Sequence, residues 1–366
     1  LWAQLNGKDH SQEQTSEDYF SLIRNYRRFC WLIPYLYGAS PALCGSFLAG
    51  KSHGLPFRKV GQGTYYMPYA TSLRMSDLGY TSAEQSSLKI CYNKLDNYVA
   101  LLREAMGTPS SRFSQFAAGE EGNYQQLSRN ILQIENELYS PIRPKQPTQS
   151  MEKPTDALVK RGINYIEVRA LDVNPFSAIG ISESQFHFLD VFLLSCLLMP
   201  SEALDESQLT EAKDNMNKVV LEGRNPELKL LQGGEEISLP AWCETLFAQF
   251  KQVAALLDTA NETDKYMAAV DEEWQKVIDP AKTPSGVLLN ALLKDDKDNS
   301  VFGLELAERY KAEMAGYAYT HTDADAFQAA SQASLDAQAD VEAADSKDFD
   351  SFIRDYFNEP PAKKNA

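Results

Sequence analysis

A short strand-like run carries residue types whose spacing could support phosphoryl chemistry. Residues 163–172 alternate in polarity, so in an extended chain Glu167 and Arg169 point to one face, roughly 7 Å apart. A carboxylate can supply oxygen to Mg²⁺, and a guanidinium can clamp phosphoryl oxygens. The pattern predicts a metal-bound, phosphate-handling site. The alternative is a solvated ion pair on an exposed sheet face.

A second run with similar chemistry precedes the first. Alternation over residues 128–139 predicts a strand that ends near Tyr139. Its polar face carries Gln133, Glu135, Glu137 and Tyr139. Two prolines, at 141 and 144, then predict an extended exit that carries Arg143 and Lys145. Strand carboxylates followed by a basic, rigid loop suit a nucleotide with its metal. An edge strand protected by charges is the alternative.

Residues 61–80 combine four tyrosines with one arginine. Tyrosine offers an apolar wall with a hydroxyl tip, which suits a small amino-acid pocket, and Arg74 could hold a carboxylate bidentately. Core packing is the preferred interpretation for Tyr65, Tyr66 and Tyr69. Arg74 and Tyr80 lie in the irregular part of the segment, where a pocket role and a structural role both stay open.

The composition excludes several classes of protein. The net charge of −16 disfavours nonspecific binding to nucleic acid or to an anionic membrane. No apolar run approaches the ~20 residues of a membrane-spanning helix. The five cysteines lack a C-x-x-C pair and the four histidines are isolated, which argues against a disulfide framework, a zinc site and a Ser-His-Asp triad. A reducing, cytoplasmic location is predicted, with neither nucleic acid nor membrane as a partner.

Hydrophobic periodicity predicts the elements that must position these residues. Helices are predicted over 16–37, 41–48, 83–106 and 155–161, and a strand over 165–172. Everything after residue 182 is predicted to be helical, over 184–198, 204–222, 240–260, 263–277, 286–294, 302–315 and a long acidic helix from 323 towards 356. A few strands followed by a run of helices indicates the α+β class.

Several long strings in this chain resemble glutamate–cysteine ligase (γ-glutamylcysteine synthetase) of the proteobacterial type. They are IRNY (23–26), IPYLYGASPA (33–42), PYATSLR (68–74), SDLGYT (76–81), LQIENELY (132–139), PIRPK (141–145), YIEVR (165–169) and EAAD (342–345). The resemblance runs from about residue 17 to the end. It implies an α+β, glutamine synthetase-like fold, in which a partial curved antiparallel sheet cradles the ligands and a large helical C-terminal portion follows.

The resemblance also implies an activity. In that family ATP activates the glutamate γ-carboxylate as a γ-glutamyl phosphate, which the cysteine amine attacks in the first step of glutathione biosynthesis. The implied cofactor is Mg²⁺, and the implied substrates are ATP, L-glutamate and L-cysteine. By position, Glu167 is similar to a metal ligand and Arg169 to the catalytic group that stabilises the transferring phosphoryl. The implied substrate-binding residues are Tyr80, Tyr139 and Arg74, and the implied nucleotide-binding residues are Asn136, Arg143 and Lys145.

The matched strings correspond to the C-terminal two thirds or so of such a ligase. They imply one catalytic domain over 1–366, with a sheet-containing substrate and nucleotide region at 1–180 and a helical region at 181–366. The family's preceding portion carries most of the metal-binding acids, so residues 1–366 alone are expected to lack ligation activity. Two other classes stay open: another carboxylate–amine ligase of the same superfold, and a noncatalytic helical interaction protein.

Overall fold

The chain folds into helices and short antiparallel strands. The computed structural model describes residues 11–50, 53–80, 82–85, 88–120 and 122–358. Its helices are α1 (Gln12–Phe29), α2 (Leu32–Tyr37), α3 (Leu95–Gly107), α4 (Pro154–Arg161), α5 (Glu183–Leu198), α6 (Glu206–Glu222), α7 (Leu239–Asn261), α8 (Lys265–Ile278), α9 (Pro284–Lys294), α10 (Asn299–Ala315), α11 (Ala324–Ala344) and α12 (Phe349–Asn358). Its strands are β1 (Ala42–Cys44), β2 (Arg58–Val60), β3 (Thr64–Tyr66), β4 (Ala118–Glu120), β5 (Asn123–Tyr124), β6 (Ile142–Lys145), β7 (Tyr165–Val168), β8 (Lys229–Gln232) and β9 (Glu235–Ser238). This mixture confirms the predicted α+β class.

The strands pair in small antiparallel sheets. One sheet has the order β1-β3-β2, and the pairs β4–β5, β6–β7 and β8–β9 form two-stranded sheets. In the β6–β7 pair, Arg143 lies opposite Glu167 and Lys145 lies opposite Tyr165. Opposed side chains of an antiparallel pair share a face and lie close together. The register therefore brings the basic residues of β6 to the acidic residue of β7.

The main core lies among helices. Phe20, Ile23 and Tyr26 of α1 are fully buried, at three-residue spacing on one face of that helix. Phe188 and Phe192 of α5 are also fully buried, because α5 is packed between α1, α7 and α8 and is apolar on nearly all sides. Among the residues that the structure describes, no helix is long and apolar enough to cross a membrane.

Helix α1 also fixes the start of β7. Ser16 Oγ accepts a hydrogen bond from Ile163 N at 3.1 Å. Tyr19 Oη donates to Asn164 O at 2.7 Å. The preceding turn passes through Gly162 at φ 68°, a left-handed conformation that glycine adopts without the steric cost of a Cβ. The strand that carries Glu167 is thus attached to the main core.

The predicted strand ending near Tyr139 is wrong. Residues 128–139 form turns, including a 3-10 turn at Glu135–Glu137, and the paired strand is the proline-containing segment that follows. The reason is Glu135, whose carboxylate points inward and accepts hydrogen bonds from the N–H and the hydroxyl of Thr155 in the first turn of α4. The alternating polarity here reflects the capping of a helix N-terminus and not the face of a sheet.

Two predicted helices differ from the structure. Residues Ala42–Cys44 form a strand because they pair with β3, and only a 3-10 turn follows within the predicted helix 41–48. The predicted helix 83–106 is α-helical only from Leu95 onward. Before that point the Asn93 side chain pairs with the N–H and the carbonyl of Leu204, each at 2.8 Å, which holds the segment as a loop. Residues 86 and 87 of this prediction lie outside the described residues.

The prediction that everything after residue 182 is helical is wrong at the β8–β9 hairpin. Gly233 and Gly234 form its two-residue turn at φ 63° and 86°. The predicted helix 16–37 is interrupted between α1 and α2, and the acidic helix predicted from residue 323 is interrupted between α11 and α12. The strand predicted over 165–172 ends at Val168. The remaining predicted helices are present with boundaries shifted by one to three residues.

Candidate functional site

Glu167 is surrounded by three basic side chains. Arg143 Nη2 lies 2.8 Å from Glu167 Oε2, and Lys145 Nζ lies 3.4 Å from the same oxygen. Arg169 Nε lies 3.2 Å from Glu167 Oε1. Partial burial raises the pKa of Glu167, but the Arg143 hydrogen bond and the three positive charges outweigh it and hold the pKa below its ordinary value. The cluster carries a net charge of about +2, which favours an anionic ligand.

The three cations differ in accessibility. The Arg143 side chain is 7% exposed and its Nη1 donates to Asn136 O at 2.9 Å, so it is committed to the protein. The Lys145 and Arg169 side chains are 25% and 35% exposed. An incoming phosphate would therefore meet Lys145 and Arg169, while Arg143 holds Glu167 in place.

Tyr80 and Tyr139 form an aromatic pair beside this cluster. Their ring centroids lie 4.7 Å apart. The guanidinium carbons of Arg169 and Arg74 lie 5.3 Å and 5.9 Å from the centroid of the Tyr80 ring. Burial raises the pKa of Tyr80, and the charges of Arg169 and Arg143 offset only part of that rise. The Tyr80 hydroxyl is therefore protonated at neutral pH.

Hydrogen bonds to the backbone fix both tyrosines. Tyr80 N donates to Arg74 O at 2.5 Å, in a turn where a Cβ on Gly79 would overlap that carbonyl oxygen. The Gln85 side-chain amide accepts a hydrogen bond from Tyr139 N and donates one to Glu137 O, both at 2.8 Å. The aromatic pair is thus positioned by contacts to the main chain on both sides.

These residues line one part of a cleft of about 1370 Å³. Its wall includes Tyr80, Tyr139, Asn136 and Arg169, together with polar side chains of α6. A smaller pocket of about 140 Å³ also includes Asn136 and is lined by Lys145 and Tyr165 among others. Asn136 therefore borders two cavities, one with the aromatic pair and one with Lys145.

Arg74 is held by the protein itself. Its Nε lies 2.6 Å from Asp172 Oδ1. Its Nη2 donates to the carbonyls of Leu171 and Arg169 at 2.9 Å and 3.2 Å. Within the described part of the chain Nη1 makes no hydrogen bond, and the side chain is 37% exposed. Nη1 of this guanidinium thus has no partner within the described residues.

The described residues do not fit a magnesium site. Across the described ranges, no group of three or more His, Cys, Asp or Glu side chains is placed to hold a metal ion. Glu167 is a single carboxylate, and both of its oxygens are paired with cations. Mg²⁺ takes about six oxygen ligands. The donor set around Glu167 is therefore suited to anchoring basic side chains.

Most of the predicted residues come together. Those around the cluster and the cleft are Glu167, Arg169, Arg143, Lys145, Tyr80, Tyr139 and Asn136, and Arg74 lies against Tyr80. Sequence reasoning gave no role to Asp172 and Gln85, which hold Arg74 and Tyr139. Asp172 ends the alternating run 163–172, which was the available signal, whereas nothing in the sequence distinguishes Gln85 from other glutamines.

Comparisons with known proteins agree with one another. The profile of a family described as glutamate–cysteine ligase matches residues 1–219. A glutamate–cysteine ligase of Shewanella halifaxensis is 49% identical over 348 residues, which cover 94% of this chain and 66% of that protein. One of Vibrio campbellii is 45% identical over 362 residues, or 98% of this chain and 69% of that protein. The chain thus spans about two thirds of the length of these relatives.

Solved structures give the same result. The crystal structure of glutamate–cysteine ligase from Francisella tularensis in complex with AMP matches with a TM-score of 0.87 at 32% identity, covering 97% of this chain and 69% of that chain. A bifunctional glutathione synthetase from Pasteurella multocida matches with a TM-score of 0.60 at 23% identity, covering 82% of this chain and 33% of that one. The second match concerns the fold alone.

Proposed function

The chain belongs to the glutamate–cysteine ligase family, and we propose that it serves the ATP-dependent joining of the glutamate γ-carboxylate to the cysteine amine, the first step of glutathione biosynthesis. In this reaction a carboxylate oxygen attacks the γ-phosphorus of ATP and ADP leaves. The amine then attacks the acyl carbon, phosphate leaves, and the ammonium proton is lost. The protein must therefore hold a nucleotide, two amino acids and a transferring phosphoryl group.

The position of Arg169 is the observation that carries the proposal. Its guanidinium contacts Glu167 within the cationic cluster and also lies over the Tyr80 ring at the wall of the cleft. The Arg169 side chain thus lies between the proposed phosphate-binding site and the proposed amino-acid-binding site. Arg169 is the group we assign to the transferring phosphoryl, because a fixed positive charge is worth most where negative charge develops.

The remaining residues have distinct proposed roles. Tyr80 and Tyr139 form walls for the cysteine, and Nη1 of Arg74 binds a substrate carboxylate. On the nucleotide side, Lys145 and Asn136 contact the ligand and Arg143 supports both Asn136 and Glu167 from within the protein. The Francisella relative was crystallised with AMP, which supports a nucleotide site in this fold.

The proposal of Mg²⁺ as the cofactor rests on the family alone. ATP-dependent ligases handle a metal–nucleotide complex, and Glu167 would be the carboxylate nearest to the phosphates. The described residues do not by themselves form a metal site, so we assign no step to the metal. We also propose a cytoplasmic location, and one catalytic domain with a sheet-containing part at 1–180 and a helical part at 181–366.

Calorimetric titration of residues 1–366 with AMP, with ATP and, separately, with L-cysteine tests the proposal. Arg169→Ala should weaken L-cysteine binding by about tenfold, because this side chain lies over the Tyr80 ring, and should weaken ATP more than AMP, because only ATP carries the transferring phosphoryl. Lys145→Ala should weaken AMP alone, and Tyr139→Ala should weaken cysteine alone. Lys160→Ala is the matched control, since Lys160 pairs with Glu152 at the surface and should change neither affinity.

Other outcomes would favour the alternative functions. If AMP and cysteine both failed to bind the wild-type chain, a noncatalytic interaction protein would be the better description. If AMP bound but a different amino acid bound more tightly than cysteine, the chain would belong to a ligase with another acceptor. A screen of amino acids in the presence of AMP separates these two outcomes.

A further inference from the structure

Asp172 is a buried carboxylate with an unusually full set of donors. Its side chain is 5% exposed. Oδ2 accepts hydrogen bonds from Ala39 N and Ser40 Oγ, both at 2.8 Å. Oδ1 accepts from Ser72 Oγ at 3.0 Å and from Arg74 Nε at 2.6 Å. One side chain therefore joins the loop after α2, the turn around residue 73 and the segment that leaves β7.

Arg74 transmits this arrangement to the cleft. The backbone carbonyl of Arg74 accepts the Tyr80 N–H, and its guanidinium lies 5.9 Å from the Tyr80 ring centroid. The same guanidinium binds the carbonyl of Arg169 at 3.2 Å. Contacts starting at Asp172 thus reach the wall of the proposed acceptor pocket and the main chain of the proposed phosphoryl-binding residue.

The first half of this loop is held independently of Asp172. Arg224, at the end of α6, donates to Pro68 O at 2.8 Å and to Ala70 O at 3.2 Å. Thr71 N donates to Val220 O at 3.0 Å. Loss of the Asp172 charge should therefore loosen residues 73–80 while α6 retains residues 68–72. The effect is expected to be local.

We propose that Asp172 is a positioning residue for the acceptor amino acid, acting through Arg74 on Tyr80 and on the backbone of Arg169. This rests on the proposed function, because it assumes that the cleft beside Tyr80 receives the amino acid. A carboxylate is required at this position: it offers two acceptor oxygens and a negative charge to four donors. An asparagine offers one acceptor oxygen, and its NH₂ group faces donors.

A double-mutant cycle tests the proposal in residues 1–366. Asp172→Asn should weaken L-cysteine binding by about tenfold and change AMP binding by less than about twofold. In an Arg74→Ala background, the same substitution should weaken cysteine binding by about threefold at most, because the route through the guanidinium is gone and only the contacts of Asp172 with Ser40 and Ser72 still connect it to this loop. A residue that only stabilised the fold would weaken cysteine binding equally in both backgrounds, and that result would overturn the proposal.

Asp156→Asn is the matched control. Asp156 forms another Asp–Arg pair of 2.6 Å, with Arg103, that links α3 to α4 away from the cleft. It should lower the melting temperature and leave cysteine binding unchanged. A similar loss of cysteine affinity in this variant would show that general destabilisation is enough, and would refute a positioning role.

Hydrogen exchange separates this proposal from the proposed function. The Tyr80 amide should lose protection in Asp172→Asn and keep it in Asp156→Asn, whether or not any ligand binds. If wild-type 1–366 bound no cysteine, the proposed function would fail for this chain, and the exchange of the Tyr80 amide would still decide whether Asp172 positions it. Unchanged protection of that amide in Asp172→Asn would refute the coupling.

Discussion

Glu273 on α8 should make the stability of this protein depend on pH. The carboxylate is 1% exposed, and Lys276 Nζ lies 2.7 Å from it. Lys276 lies in turn 4.8 Å from the centroid of the Tyr37 ring on α2. The pKa of Glu273 is raised to about 7, mainly by burial; the nearby Lys276 offsets part of the rise, and the charge of Glu272 on the same helix adds to it.

The sign and the size follow from that shift. The pKa rises from an ordinary value of 4.5 in the unfolded chain to about 7 in the folded protein, so the folded protein holds the proton more tightly. The stabilisation is fully present below pH 4.5 and is lost as the pH rises through 7. At about 1.4 kcal/mol per pKa unit, the loss is at most about 3.5 kcal/mol.

Urea denaturation at pH 5, 6, 7 and 8 would measure this effect. The glutamine of Glu273→Gln does not titrate, so the variant does not lose stability as the pH rises. The unfolding free energy of the variant relative to wild type should therefore increase by up to about 3 kcal/mol from low to high pH. Gln275→Ala, at another exposed position on α8, is the control: it removes no titratable group and should show a constant difference. The reasoning would be refuted if the Glu273→Gln difference were equally constant across the four pH values.

Three further predictions concern the candidate site. Residues 1–366 incubated with ATP, glutamate, cysteine and Mg²⁺ should release no ADP, because the described residues supply a single carboxylate near the proposed phosphate-binding site. Magnesium-dependent ADP release would contradict this. Glu167→Gln should tighten metal-free AMP binding by about tenfold at low salt, because three cations lose their shared counter-charge, and calorimetry showing weaker binding would count against it. Gly79→Ala should lower the free energy of unfolding by about 1–3 kcal/mol, because the new Cβ would overlap the carbonyl oxygen of residue 74. Gly107→Ala is the control, since no atom lies within 4 Å of its Cβ and no such loss is expected. Equal melting temperatures for the two variants would disprove this.

Local pattern predicted the parts of the site that are local in sequence. Glu167 and Arg169 are two positions apart, so alternation alone placed them on one face, where they form an ion pair. The extended segment after Pro141 was predicted from its prolines and is the strand that brings Arg143 opposite Glu167. Neither inference required knowledge of the rest of the fold.

The errors arose where distant contacts decide the local structure. Glu135 gave residues 128–139 a strand-like alternation, but its carboxylate caps α4, about twenty positions away. Asn93 is kept out of a helix by Leu204, 111 positions away. The pair of Arg74 and Asp172 spans 98 positions, and the spacing of these residues carries no information about their contact. Such pairs become visible only in the folded chain.

The attachment of β7 to α1 has a consequence for the order of events during synthesis. Its two hydrogen bonds join residues 145 and 147 positions apart. The ribosome adds roughly 5–20 residues per second, so the segment that α1 anchors is synthesised on the order of ten to thirty seconds after α1 itself. During that interval the apolar face with Phe20, Ile23 and Tyr26 is without most of its final neighbours, such as Phe192 of α5, which emerge later still. The strand that carries Glu167 is therefore set in place late in synthesis, and the apolar face of α1 stays without its partners until then.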